Sequence, residues 1–232
     1  MSLLNQIIEL ADQSTDMWDK VRLGKFTAST MFKLMSEPKS KEAKEAGELS
    51  EGAKTHVIEK VAEDKTGESI FFENMATRHG HEYEGTARDL FSKMTGLEIG
   101  QTGFCSYGEN AGGSPDGIFY RPPIGEKDGI IEIKCPFNSA NHFEHILIES
   151  QEYFKANFKE YYWQMQANML FTGTHKGWFI SYDPRVEKDL QLFTILIQSD
   201  VKDQLLIDKK IEAAVKYKNE ILNKINSKKQ AA

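Results

Sequence analysis

Apolar residues recur at helical spacing through the first part of the chain, and the pattern then switches to the alternation of a sheet. Helical spacing covers Leu4 to Ala11, Ala28 to Met35, Glu51 to Ala62 and Thr77 to Met94. In the last of these Tyr83, Ala87, Leu90, Phe91 and Met94 share one face, and Gly96 follows as a stop. β-rich segments run over Glu98 to Tyr107, Gly117 to Tyr120 and Gly129 to Cys135, with the turn Arg121-Pro122-Pro123-Ile124-Gly125 dividing the last two. A helix over Tyr161 to Phe171 and strands over Gly177 to Tyr182 and Leu190 to Ile197 follow. A closing amphipathic helix carries Ile207, Ile211, Ala214, Val215, Ile221 and Ile225 on its apolar positions. This order predicts an α/β (α+β) chain with a central mixed β-sheet flanked by helices.

The polar or turn-forming stretches Glu37 to Gly47, Arg121 to Asp128 and the tail after Ile225 are the expected flexible points. None is long enough to separate domains. With 232 residues and 40% hydrophobic content, residues 1–226 read as one domain with 227–232 as a flexible tail. Met1 to Ser14 has no basic run, and Gln6, Glu9 and Asp12 interrupt its apolar residues, so it does not read as a signal peptide. No apolar run approaches the ~20 residues of a membrane span. A cytoplasmic protein without membrane attachment is expected. The two cysteines, Cys105 and Cys135, form no CxxC or Cys/His cluster and read as free thiols.

Charge complicates any nucleic-acid reading. With 29 basic and 35 acidic residues the net charge is -6, which argues against a protein that coats nucleic acid by bulk attraction. An acidic enzyme that binds DNA has to gather its positive charge into a groove and use metal ions where carboxylates approach phosphates.

The stretch richest in chemistry is Ser114-Pro115-Asp116-Gly117, followed after a turn by Ile130-Ile131-Glu132-Ile133-Lys134-Cys135-Pro136. Side chains alternate across a strand, so Ile131 and Ile133 face a core while Glu132 and Lys134 point together to the opposite face. With Asp116 on the adjacent hairpin strand, two carboxylates and an ammonium share one small area. Such a set suits Mg²⁺, which binds few carboxylates and completes its shell with water and substrate phosphate. Lys134 would orient or deprotonate an attacking water and offset transition-state charge, its pKa lowered by nearby cations. The same residues also fit a half-exposed strand bearing a cross-strand ion pair. The Ser-Pro-Asp-Gly approach and the Cys-Pro exit favour the hydrolytic reading.

Several ordered blocks resemble the lambda exonuclease family of PD-(D/E)xK nucleases. They are Trp18, Arg22-Leu23-Gly24 and Thr27-Ala28-Ser29; Gly80 to Phe91 with Glu84, Ala87, Arg88 and Phe91; the Asp116 and Glu132-Ile133-Lys134 core; Gln164-Met165-Gln166; and Tyr182-Asp183-Pro184-Arg185. The resemblance implies a restriction-endonuclease-like core and 5′-to-3′ degradation of one strand of duplex DNA, leaving a 3′ overhang. It makes Asp116, Glu132 and the Ile133 backbone carbonyl metal ligands and Lys134 the catalytic lysine. Glu84 joins a second-metal or water-organising set, the cofactor being two Mg²⁺ ions with Mn²⁺ as a substitute. Arg22, Ser29, Ser114 and Gln164 form a pocket for the terminal 5′ phosphate, and Met75 is the candidate strand-separating wedge. A toroidal homotrimer and a single-strand DNA annealing protein as partner are also implied.

Other readings of these residues remain open at this level. Glu84 and Arg88 fit an exposed i,i+4 pair. Thr27 or Ser29 fits a helix cap, Arg22 a surface residue, Gln164 a satisfied core amide and Met75 a core residue. His79 and His81 diverge on a helix, and Tyr161, Tyr162 and Trp163 fit either packing or base stacking. An endonuclease on the same fold and a catalytically silent DNA-end-binding module compete with the exonuclease. An iron–sulfur nuclease of this fold needs four cysteine ligands, and the chain has two.

Overall fold

The computed structural model describes residues 16–69, 75–121 and 125–230. The expected helix over Leu4 to Ala11 and the Pro122 to Ile124 part of the turn lie outside the described residues. From the amino-terminal side the elements are α1 (Asp16–Arg22), β1 (Phe26–Thr27), a 3₁₀ turn (Ala28–Thr30), α2 (Met31–Leu34), α3 (Lys41–Glu45), α4 (Glu51–Thr66) and α5 (Met75–Thr95). Four short strands and a longer one follow: β2 (Ile99–Gly100), β3 (Cys105–Tyr107), β4 (Ala111–Gly113), β5 (Gly117–Arg121) and β6 (Glu126–Lys134) come before the next helices. Then come α6 (Ser139–Ile146), α7 (Gln151–Asn157), α8 (Lys159–Thr172), β7 (Lys176–Tyr182), β8 (Leu192–Gln198) and α9 (Val201–Gln230).

The described residues fall into two compact units, one of residues 16–69, 103–113 and 200–230, the other of residues 75–102, 114–121 and 125–199. The first holds a three-stranded sheet in the order β1-β4-β3, with β1 parallel and β3 antiparallel to β4. Helix α9 packs along α4 and α2 and buries Ile207, Ile211 and Ala214. The Ser50 hydroxyl caps α4 by accepting from the Ala53 N–H at 3.0 Å, and Gly67 ends it in the left-handed conformation at φ 72. Gly24 is a position where only glycine fits. Its φ is +69, a Cβ there would lie 2.0 Å from Asp64 Oδ1, and its N–H donates to Glu63 Oε2 at 3.1 Å. Lys218 of α9 closes this corner by donating to the Gly24 carbonyl at 2.8 Å and pairing with Asp64 at 2.7 Å.

The second unit is built on a five-stranded mixed sheet, β2-β5-β6-β7-β8, in which β6 and β7 are parallel and the other pairs antiparallel. Helix α5 covers one face, where Ala87 and Phe91 pack with Phe119, Ile131, Ile133 and Ile180. Helices α7 and α8 cover the other, where Phe154, Tyr162, Met165 and Met169 pack with Ile118, Ile130 and Phe179. Both faces of β6 are therefore buried. Ile131 and Ile133 face α5 as the alternation predicts, but the opposite face is roofed by α8 and not half-exposed: Glu132 keeps 1% of its surface.

Several expectations are corrected. The Ala28 to Met35 helix is broken into a 3₁₀ turn and α2, because the Thr27, Ser29 and Thr30 hydroxyls bond to one another and to the Thr27 carbonyl. The single strand over Glu98 to Tyr107 is two, β2 and β3, which belong to different sheets. Met94 leaves the buried face of α5 and is 58% exposed. Glu37 to Gly47 contains α3, capped by Ser40, and the chain after Ile225 continues as helix to Gln230. Among the described residues no helix is long and apolar enough to cross a membrane.

Candidate active site

The β5–β6 hairpin assembles the chemistry. The Gly117–Ile131 pair is the last rung of the ladder, and a Cβ on Gly117 would meet Ile99 and Ile131 within 3.1 Å. Just before it, the Asp116 N–H donates to the Ile131 carbonyl at 3.1 Å, and Asp116 Oδ2 accepts from the Ile133 N–H at 2.6 Å. The N–H and C=O of one strand residue point to the same edge. The Ile133 carbonyl therefore points to the edge where the Asp116 carboxylate sits.

On the α8 face, Lys134 Nζ donates to Glu132 Oε1 at 2.8 Å and to Gln164 Oε1 at 3.2 Å. The Gln164 amide in turn donates to the same Glu132 oxygen, and Asn168 Nδ2 donates to Glu132 Oε2 at 3.1 Å. The Tyr161 ring lies 5.1 Å from the Lys134 ammonium. From α5, Glu84 pairs with Arg88, whose Nε donates to the Asp116 carbonyl at 3.2 Å. The i,i+4 pair is real, yet it is partly buried and tied to the acidic loop, not exposed on a helix surface.

Burial raises the pKa of all three carboxylates in this space, and the Asp116 charge raises the other two further. Burial, with the Asp116 charge beside it, pushes the Glu132 carboxyl up to about 8. Burial and Asp116 likewise push Glu84 up to about 7, against the pull of Arg88. Burial raises Asp116 too, against Lys134 and the Ile133 N–H. For Lys134, burial disfavours the ammonium, but the Glu132 and Asp116 carboxylates outweigh it and hold the group well above the ordinary lysine range. The expected lowering of this pKa thus requires added positive charge near the carboxylates.

Crowded carboxylates and a carbonyl on one edge form a hard oxygen donor set that fits a divalent cation. Among the described residues no three carboxylate, histidine or cysteine side chains converge as a complete cage.

The remaining predicted residues fall in both units. Gln164 is buried and satisfied by Glu132 and Lys134, so its amide is part of this cluster and not an independent core group. Ser114 is partly buried, two residues before Asp116. Arg22 ends α1 with its guanidinium 3.8 Å from the Trp18 ring centroid, and burial lowers its pKa against Asp19 and Glu63, so it is no simple surface residue. Ser29 lies in the 3₁₀ turn, 3.2 Å from the Thr27 hydroxyl; neither Thr27 nor Thr30 caps a helix through its side chain. Met75 opens α5 and is 71% exposed, which excludes a core role. Tyr162 is wholly buried and Tyr161 stacks on Phe179, so these aromatics pack the core. His79 packs against Tyr83 and Phe137, and His81 is exposed.

Two contributors escape the sequence reading. Asn168 is one, signalled only by its place four residues after Gln164 on a helix. The other is the work of Arg185, which the sequence names only within the Tyr182-Asp183-Pro184-Arg185 block: it grips the buried Asp183 at 2.7 and 2.8 Å and donates to the Pro136 and Phe137 carbonyls at 2.9 Å, fixing the exit from Lys134.

Residues 17–175 match the family described as YqaJ-like viral recombinase domain. Among solved structures, an alkaline exonuclease from Laribacter hongkongensis is 28% identical, with a TM-score of 0.78 over 94% of this chain and 100% of its own. The same exonuclease in complex with dAMP aligns with a TM-score of 0.77. A phage related exonuclease from Haemophilus somnus 129PT, 24% identical over 87% of this chain and 96% of its own, shares the fold with a TM-score of 0.72. No curated protein matches the chain. The mixed sheet flanked by helices is the alkaline exonuclease fold, as the motif order led us to expect.

Proposed function

Because the chain belongs to the YqaJ-like viral recombinase family, of the lambda exonuclease type that its motifs resemble, we propose that it degrades one strand of duplex DNA from a 5′-phosphorylated end. The product is a 3′ single-stranded overhang for strand annealing. The observation that carries this reading is the meeting of Asp116, Glu132 and Lys134 at the end of one hairpin, with the Ile133 amide tying the first carboxylate to the strand of the other two.

Asp116, Glu132 and the Ile133 carbonyl are the groups that would hold Mg²⁺ or Mn²⁺, with Glu84 serving a second ion. Bound there, the ions supply Lewis acidity and an activated water. Lys134, held 2.8 Å from Glu132 Oε1, would orient the attacking water or, as the neutral amine, take its proton. Arg22, with Ser29, Ser114 and Gln164, receives the terminal phosphate; a guanidinium fork partly stripped of water is suited to that anion. Met75, exposed at the start of α5, is the residue proposed as the wedge. Residues 1–226 act as one exonuclease domain, in a cytoplasmic homotrimeric ring that confines the duplex and supplies a single-strand annealing protein.

The test uses purified protein with Mg²⁺ or chelator on linear duplexes bearing 5′ phosphate or 5′ hydroxyl ends, and on covalently closed circles. Metal-dependent loss of one strand from phosphorylated linear ends is expected. Cleavage of closed circles would instead identify an endonuclease, and intact linear duplex a silent end-binding module.

A further inference from the structure

Glu132 presents two carboxylate oxygens, and its neighbours treat them differently. Oε1 accepts from Lys134 and Gln164, which also bond to each other at 3.2 Å. Each of those side chains keeps a partner in the other when Oε1 turns to a cation. Oε2 accepts from Asn168 Nδ2 at 3.1 Å, its one donor among the described residues. Asn168 has no such alternative. It is 1% exposed, and its own Oδ1 is buried without a partner among the described residues. A buried amide oxygen without a donor costs stability that a leucine of similar volume would not incur. What the asparagine supplies in return is the N–H on Oε2.

We propose that Asn168 is a positioning residue that, by engaging Glu132 Oε2, confines this carboxylate to one-oxygen ligation through Oε1 and so favours Mg²⁺ over Ca²⁺. The inference rests on the ion site proposed at Asp116 and Glu132. Mg²⁺ requires near-octahedral geometry with single oxygens, whereas Ca²⁺ takes more ligands and readily accepts both oxygens of a carboxylate. A two-oxygen grip on Glu132 breaks a buried hydrogen bond to a charged acceptor and leaves both polar atoms of the Asn168 amide unsatisfied. A one-oxygen grip breaks nothing on that side.

The full-length protein is melted without DNA, in chelator and then across Mg²⁺ and Ca²⁺ titrations, and the shift in midpoint gives each ion's apparent Kd. In Asn168→Leu we expect a cooperative transition in chelator and a Ca²⁺ affinity that rises relative to Mg²⁺ on the order of tenfold. An unchanged ratio overturns the assignment. So does an equal loss for both ions, which marks a residue that only supports the fold around Glu132. Where Asn168→Leu shows no cooperative transition, Asn168→Ala is read by the same ratio and the same criteria. A parent whose midpoint does not respond to Mg²⁺ overturns the ion site and this role together. A parent response that Asp116→Asn abolishes, with the ratio unchanged in Asn168→Leu, overturns the role of Asn168 alone.

Discussion

Replacing Glu84 with glutamine should make the metal-free protein more stable and the Mg²⁺-bound protein less so. Glu84 shares its space with Asp116, and burial together with that charge raises its pKa from 4.5 to about 7. A carboxyl whose folded pKa exceeds its unfolded one retains its proton in the folded state over that interval. Stability is therefore lost as pH rises from about 4.5 to about 7, and the whole cost is present at pH 8. At ~1.4 kcal/mol per pKa unit the cost is at most about 3 kcal/mol. The side chain keeps 26% of its exposure and Arg88 loses its partner on substitution, so we expect Glu84→Gln to recover ~1–2 kcal/mol. For a chain of this size that is a rise in Tm of about 2–8 °C. In Mg²⁺ at about one hundred times its Kd, the parent gains about 2.7 kcal/mol by mass action. The variant gains less, and the order of the two melting curves reverses. Thermal scans at pH 8 with chelator and with Mg²⁺, repeated in chelator at pH 4, decide the matter. A variant that melts below the parent in chelator at pH 8, or an advantage that persists undiminished at pH 4, refutes the charge-crowding argument.

Lys134→Ala should abolish hydrolysis while duplex binding in a gel-shift assay persists; residual single-turnover cleavage at the parent rate removes Lys134 from the chemistry. Arg22→Ala should erase the rate difference between 5′-phosphorylated and 5′-hydroxyl ends without lowering the rate on the latter. His145, buried against Ser181 and Phe179, has its pKa pushed down to about 4 from 6.5, first by burial and then by His142. Its neutral ring stabilises the fold above pH 6.5, and that contribution, at most about 3 kcal/mol, falls away between about pH 6.5 and 4. The stability difference between the parent and His145→Gln, read by urea titration, should therefore shrink across that window. Gly24→Ala, which forces a Cβ against Asp64 at φ +69, should cost more than ~1 kcal/mol in the same titration.

The hairpin of Asp116, Glu132 and Lys134 is legible in the sequence because strand alternation is a strict rule. Once Ile131 and Ile133 face a core, Glu132 and Lys134 are forced together, and the Asp116-Gly117 step places the second carboxylate beside them. The roof over that face is not legible in the same way. Tyr161 to Phe171 is apolar on nearly every side, so periodicity shows a buried helix without showing what it lies against. Asn168 is hidden for that reason. Strand β4 is missed because Ala111-Gly112-Gly113 has no β-forming side chain; it pairs because Gly112 leaves room for Phe104, whose ring would lie 2.4 Å from a Cβ there. Helix α6 is obscured by buried polar groups. His142 and His145 both sit 2.8 Å from the Ser181 hydroxyl, a satisfaction that no local pattern announces.

The three separate stretches that make up the first unit bear on how the protein is synthesised. Helix α9 leaves a ribosome after every other element described above, yet it lies along α4 and lends Lys218 to the Gly24 corner, close in sequence to Arg22. The hairpin with Asp116, Glu132 and Lys134, and the helices that cover it, are complete once Ser199 has emerged. At about 5–20 residues per second, a nascent chain passes through an interval of seconds in which Asp116, Glu132 and Lys134 are assembled and the Gly24 corner still lacks Lys218. Premature termination after Ser199 would release a polypeptide that retains Asp116, Glu132 and Lys134 and has lost the support for the corner beside Arg22.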